Sequence, residues 1–176
     1  GIVPMLTEST PKGPKISRQS GFTCYAHAMR PESKGHIHIR SADPSQPPAI
    51  NFNFLSTAQD RELTVRAVQI ARSIMTAPAM AALQVSELAP GTERVSDDEI
   101  LDWVRSAAET TYHPVGTCKM GTDPTAVVDP RLRVHGIAGL RVADASIMPT
   151  LTSGNTNAPS IMIGEKAADM ILTEGR

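Results

Sequence analysis

A chain of 176 residues, 40% hydrophobic and 20% charged, is long enough for one domain with a sizeable core and has an ordinary globular balance. Its formal charge of −1 gives no electrostatic argument for a nucleic-acid or anionic-membrane partner, and no apolar run approaches the roughly 20 residues of a membrane span. Cys24 and Cys118 match no Cys-x-x-Cys spacing, which speaks against a disulfide framework and predicts two reduced, small, buried residues.

Pro4, Pro11, Gly13 and Pro14 predict an irregular, extended surface segment over residues 1–20. Residues 22–29 alternate Phe22, Cys24, Ala26 and Ala28 with Thr23, Tyr25, His27 and Met29, a strand pattern that Pro31 ends. Residues 34–41 read as a second strand, with Ile37 and Ile39 on one face and His36, His38 and Arg40 on the other. The stretch between them reads as a hairpin connection. A short extended piece over 50–54 follows a proline-rich interval.

From 58 to 76 the period becomes helical, with Leu63, Ala67, Ile70, Ala71 and Ile74 as the expected apolar face and Pro78 as the stop. Ser96 with Glu99 three residues on forms a capping box, announcing a second helix with Leu101, Val104 and Ala108 on its buried side. A turn-rich stretch then ends in a short apolar strand over 140–143. A last helix from about Ala158 carries Pro159 in its first turn and buries Ile161, Ile163, Ala167, Met170 and Ile171. The predicted fold class is α+β: an antiparallel sheet built from 22–29, 34–41 and neighbouring short strands, with the 58–76 helix packed on one face.

Two stretches carry chemistry. The first is Thr-Tyr-His-Pro-Val-Gly-Thr-Cys-Lys-Met-Gly, residues 111–121. Its His113 fits three roles: a satisfied core histidine, a metal ligand with Cys118, or a base. Metal binding finds no matching spacing and no further ligands, so no metal site is expected, and the His36/His38 pair likewise lacks a third ligand. Pro114 restricts His113 to an extended backbone, and rigid placement is what a general base requires. In the second stretch, 142–160, Asp144 with Ala145 follows a short strand. Gly154, Asn155, Thr156 and Asn157 then crowd polar groups before a helix whose free amides attract negative charge. An asparagine-rich N-cap would need only one of them.

Together with residues 29–55, these stretches resemble the C-terminal part of the glucose–methanol–choline (GMC) oxidoreductase family, in wording nearest its bacterial choline-dehydrogenase-like branch. The resemblance runs from Phe22 to near the chain end through four separated motifs in order. It implies an enzyme that oxidises an alcohol by hydride transfer to the N5 atom of FAD, with a small-molecule alcohol as substrate. It implies that His113 acts on the hydroxyl proton, with Asn155 at the second catalytic position. It places Asp144 and Ala145 near the ribityl-phosphate part of the cofactor, and Asn157 and Ala158 beside the pyrimidine edge of the ring.

The family's Gly-x-Gly-x-x-Gly fingerprint for the ADP half of FAD is absent from these 176 residues. The expectation is therefore a C-terminal fragment, residues 1–126 being part of the substrate-binding domain and 127–176 completing the FAD-binding domain. Its expected partner is the missing N-terminal FAD-binding region; alone, it is expected not to retain FAD, to be inactive, and to form a homodimer through uncovered apolar faces. A hydroxynitrile lyase on the same scaffold and a non-catalytic interaction module are the alternative functions. A cytoplasmic location is the accompanying expectation, although the absent leader says little about the longer protein.

Overall fold

The computed structural model describes residues 1–10, 13–83 and 85–174, so Pro11 lies outside the described residues. The chain falls into two compact units, one of Gly1–Ala28 with Ala58–Ala108 and one of Met29–Thr57 with Glu109–Arg176. These are units of internal packing. The 126/127 boundary expected above refers to a longer protein and stays a proposal.

In the first unit, β1 (Ile2–Val3) pairs antiparallel with β4 (Thr23–Cys24), and β2 (Thr7–Thr10) forms a hairpin with β3 (Gly13–Ile16). Pro4 lies between β1 and β2, whereas Pro14 stands within β3 opposite Ser9, so this segment is less irregular than its composition predicts. Helices α1 (Ala58–Met75) and α2 (Asp97–Ala107) follow, separated by a 3-10 turn at Pro78–Leu83.

The capping box forms as expected, with Ser96 Oγ accepting from the Glu99 amide and Glu99 Oε2 accepting from the Ser96 amide at 2.9 Å. The Ser96 amide and hydroxyl hold the Glu99 carboxyl below its ordinary value. Helix α2 buries Ile100 completely, along with Val104, and α1 packs against α2, with Gln69 Nε2 donating to Asp97 Oδ1 at 2.8 Å. The expected apolar face of α1 is not its buried one. Val65 and Asp60 are buried, while Leu63, Ile70 and Ile74 are between 44% and 48% exposed. Two helices supply one contact line, and the wider stripe of α1 finds no cover in it.

In the second unit, β5 (His36–His38) pairs antiparallel with β6 (Ala49–Asn51), in the register His36↔Asn51 and Ile37↔Ile50. The strands expected over 22–29 and 34–41 are thus antiparallel and non-helical but shorter, and they do not pair with each other. The first pairs instead with β1, the second with β6. A turn at Asp43, whose Oδ1 accepts from the Ser45 amide at 2.9 Å, folds the proline-rich interval back. Gly35 then lets the Asn51 carbonyl approach where a Cβ would collide.

Helix α3 (Asn157–Glu174) forms as expected and buries Ile163 and Ala167, but Ile161 and Ile171, also expected inside, are exposed. Its core partners are Val128, Leu132, Ile147 and Met148. The strand expected over 140–143 is reduced to a single bridge between Arg133 and Arg141. Glu174 near the end of α3 accepts from both Arg131 and Arg141, and the Arg131 guanidinium above all holds its carboxyl below the ordinary value. Cys24 and Cys118 are free, as expected, but half-buried.

Arg72 is the polar centre of the first unit. It reaches Glu87 Oε1 at 2.8 Å, the Gly91 carbonyl at 2.8 Å and the Arg94 carbonyl at 2.7 Å. Three acceptors face one guanidinium fork, a geometry that an ammonium cannot reproduce. Arg72→Ala is expected to lower stability by about 2 kcal/mol, the scale of hydrogen bonds to a charged group. Arg72→Lys should recover little of it, as a urea titration of the three proteins will read.

Candidate functional site

His113 follows Tyr112, whose φ of +60° is a left-handed value that a non-glycine residue rarely adopts. The Thr110 hydroxyl accepts from the Tyr112 amide at 3.1 Å, closing a tight turn that sends the His113 ring inward while the Tyr112 side chain stays 73% exposed. Past Pro114, Gly116 adopts φ +90° beneath the Met148 carbonyl. The chain then runs alongside the segment around Ala145. The Cys118 amide donates to the Ser146 carbonyl at 3.0 Å and the Met120 amide to the Ile147 carbonyl at 2.7 Å.

The half-buried His113 ring meets Thr156, with Nδ1 2.8 Å from Thr156 Oγ1. Thr156 is 8% exposed and directly precedes α3, and its carbonyl accepts from the Ser160 amide at 3.0 Å, as an N-cap residue does. Asn155 is its chain neighbour, so the Asn155 Cα lies about 3.8 Å from that of Thr156. The two candidate catalytic positions thus flank one residue, with Asn155 exposed and His113 half-buried.

Asp144 is exposed and caps the 3-10 turn Ala145–Ile147, its Oδ1 accepting from the Ser146 amide at 2.7 Å, and Ala145 packs half-buried against the core. Asn157 and Ala158 are exposed in the first turn of α3, which carries no acidic side chain. Three segments, 113–121, 144–148 and 155–158, therefore meet around one layer of core residues.

Two contacts are not announced by the sequence pattern. Thr156 stands among the polar residues before α3, but its pairing with His113 is not legible there. Arg30 donates from Nε to Ser153 Oγ at 2.6 Å, tying a distant segment to the turn before Asn155, and no local pattern announces it. His36 and His38 sit exposed with ring centroids 4.8 Å apart, and no metal-binding cluster occurs among the described residues. No described helix is long and apolar enough to cross a membrane.

A family model described as GMC oxidoreductase matches residues 31–164. The chain is 50% identical over 159 residues to an oxygen-dependent choline dehydrogenase of Escherichia coli O139:H28, a match covering 90% of this chain and 29% of that protein. Its fold is similar to that of a pyridoxine 4-oxidase from Mesorbium loti, with a TM-score of 0.76 and 38% identity over 80% of this chain and 28% of the other. An FAD-dependent oxidoreductase from Chaetomium thermophilum gives a TM-score of 0.78 and 33% identity over 84% of this chain and 26% of that one. The chain thus spans less than a third of the length of these relatives.

The Gly116 turn is open to direct test. A Cβ there would lie 3.3 Å from the Met148 carbonyl oxygen, on a backbone already at φ +90°. Gly116→Ala is expected to cost about 1–3 kcal/mol. Chemical denaturation will measure the loss, and the shift of the His113 ring resonances will show whether the turn moves the imidazole.

Proposed function

The chain belongs to the GMC oxidoreductase family, and on that footing we propose that it works as the C-terminal part of an FAD-dependent enzyme that oxidises a small alcohol to a carbonyl compound. The observation that carries this reading is the 2.8 Å contact between His113 and Thr156. It sets an imidazole beside the Asn155 turn at the exposed start of an 18-residue helix.

The residues present suit the ring end of FAD. The amides in the first turn of α3 face no acidic side chain, and Asn157 and Ala158 are open to a ligand. Asp144 and Ala145 would hold the ribityl-phosphate side. When bound, FAD supplies the acceptor for the hydride that leaves the alcohol carbon.

The protein's own residues handle the proton and the oxygen. With Nδ1 committed to Thr156, Nε2 is the His113 nitrogen that takes the hydroxyl proton as the hydride leaves, which together convert CH–OH to C=O. Asn155 donates its side-chain N–H to the alcohol oxygen; having no basic atom, it cannot compete for the proton. Choline heads the list of substrates to test, because relatives at 50% identity carry the name choline dehydrogenase.

In the longer protein, His113→Ala is expected to slow anaerobic flavin reduction by roughly 10²–10⁴-fold, the usual contribution of a general base. Asn155→Ala should cost less, because it removes one hydrogen bond and leaves the base in place. A stopped-flow panel of alcohols will read both, and an unchanged rate in the His113 variant would end the proposal.

The 176-residue chain alone is expected to purify colourless. It lacks the glycine-rich turn for the pyrophosphate, and partial contacts rarely secure useful affinity. Ile39 at 88% and Phe54 at 62% exposure should also make it self-associate. Absorbance near the flavin band and sedimentation velocity on one preparation will check both points; a stoichiometric yellow monomer would overturn them.

A further inference from the structure

We infer that Thr156 is the positioning residue of His113, its hydroxyl accepting the Nδ1–H so that Nε2 carries the free lone pair. The inference rests on the reading of His113 as a base, and it adds what prepares that base.

Burial makes the hydroxyl need a partner. Thr156 is 8% exposed, and a buried hydroxyl without a hydrogen bond is costly. An N-cap threonine ordinarily spends its oxygen on the amide of the second or third helical residue. In α3, which starts at Asn157, the third is Pro159, which has no amide hydrogen. One of the two usual capping bonds is therefore closed to Thr156, and its hydroxyl lies against the imidazole, 2.8 Å from Nδ1. The Thr-Asn-Ala-Pro sequence thus starts the helix and keeps one oxygen for the histidine.

Two contacts meet at Nδ1, and they pull in opposite directions only if the hydroxyl accepts. The Thr156 amide, which can only donate, lies 3.4 Å from Nδ1 and favours an unprotonated nitrogen there. At that length the bond is marginal, and the 2.8 Å contact to the hydroxyl governs. A hydroxyl can donate or accept. Only when it accepts does Nε2 present a lone pair, and only that tautomer can take a proton from an alcohol.

The tautomer can be read without cofactor or turnover. Long-range ¹H–¹⁵N correlation spectra of this chain, in buffer alkaline enough to keep the imidazole neutral, report which nitrogen carries hydrogen, and His113→Gln assigns the signal. Wild type and Thr156→Ser should show a protonated Nδ1, and Thr156→Val should shift the ring toward the Nε2–H form. An Nε2–H ring in wild type, or an unchanged ring in Thr156→Val, would overturn the inference. Should Thr156→Val fail to fold, Pro159→Ala decides. Restoring the third amide should draw the hydroxyl back to capping and shift the His113 tautomer, whereas an unmoved ring refutes the assignment.

In the longer protein, Thr156→Val should slow flavin reduction roughly 10- to 100-fold, the range for partners that orient a functional imidazole. Alcohol binding should be unchanged, and Thr156→Ser should restore the rate. An unimpaired Thr156→Val enzyme counts against positioning. An unimpaired His113→Ala enzyme removes the base itself, a separate failure that the tautomer spectra do not share.

Discussion

The second unit depends on one layer of apolar contacts, in which Val128, Leu132, Ile147 and Met148 pack against Ile163 and Ala167 of α3. The layer fixes the polar residues by phase and by attachment. Thr156, Ser160, Ile163, Ala167 and Met170 recur at helical spacing, so the buried stripe of α3 continues back to its first residues. Thr156 is therefore on the core side, while its neighbours Asn155 and Asn157 point to solvent. Attachment comes from Ile147 and Met148, which belong to the same layer. Their segment is bonded to the His113 segment through Cys118 and Met120. Apolar burial is non-directional, and only these backbone bonds convert it into a defined distance between His113 and the helix.

What could be read in the sequence divides by range. The capping box of α2 and the start of α3 are local chemistry, settled within four residues, and both formed where the sequence places them. Strand pairing is not local. The alternation in 22–29 and 34–41 marks extended chain but does not name a partner, and β4 found β1 while β5 found β6. The α1 face misled for a related reason: Leu63, Ile70 and Ile74 have the right spacing, but spacing says only which residues share a face, not that anything covers it.

The candidate site follows the same rule. His113 stood out because Pro114 and the following glycine restrict it locally, and the family resemblance gave it and Asn155 a role. Thr156 stood among the polar residues before α3, but its pairing with His113 was not legible, because the two are 43 residues apart in sequence. Arg30 was more remote still, 123 residues from Ser153. The exposed apolar residues belong to this account as well. Phe52 and Phe54, just past β6, stack at 5.0 Å and stay 48% and 62% exposed, in a chain spanning 29% of the length of its relative.

Strain at the ends of the His113 segment completes the argument. A tyrosine at φ +60° and a glycine at φ +90° bracket the histidine and its proline. A non-glycine residue in that region costs on the order of 1–3 kcal/mol and persists only where its surroundings over-determine it. At Tyr112 the Thr110 hydroxyl on one side and the His113–Thr156 bond on the other do so. Proline then removes the backbone freedom by which the ring could relax away. The turn carries that cost, and the 2.8 Å contact between His113 and Thr156 is one of the contacts that offset it.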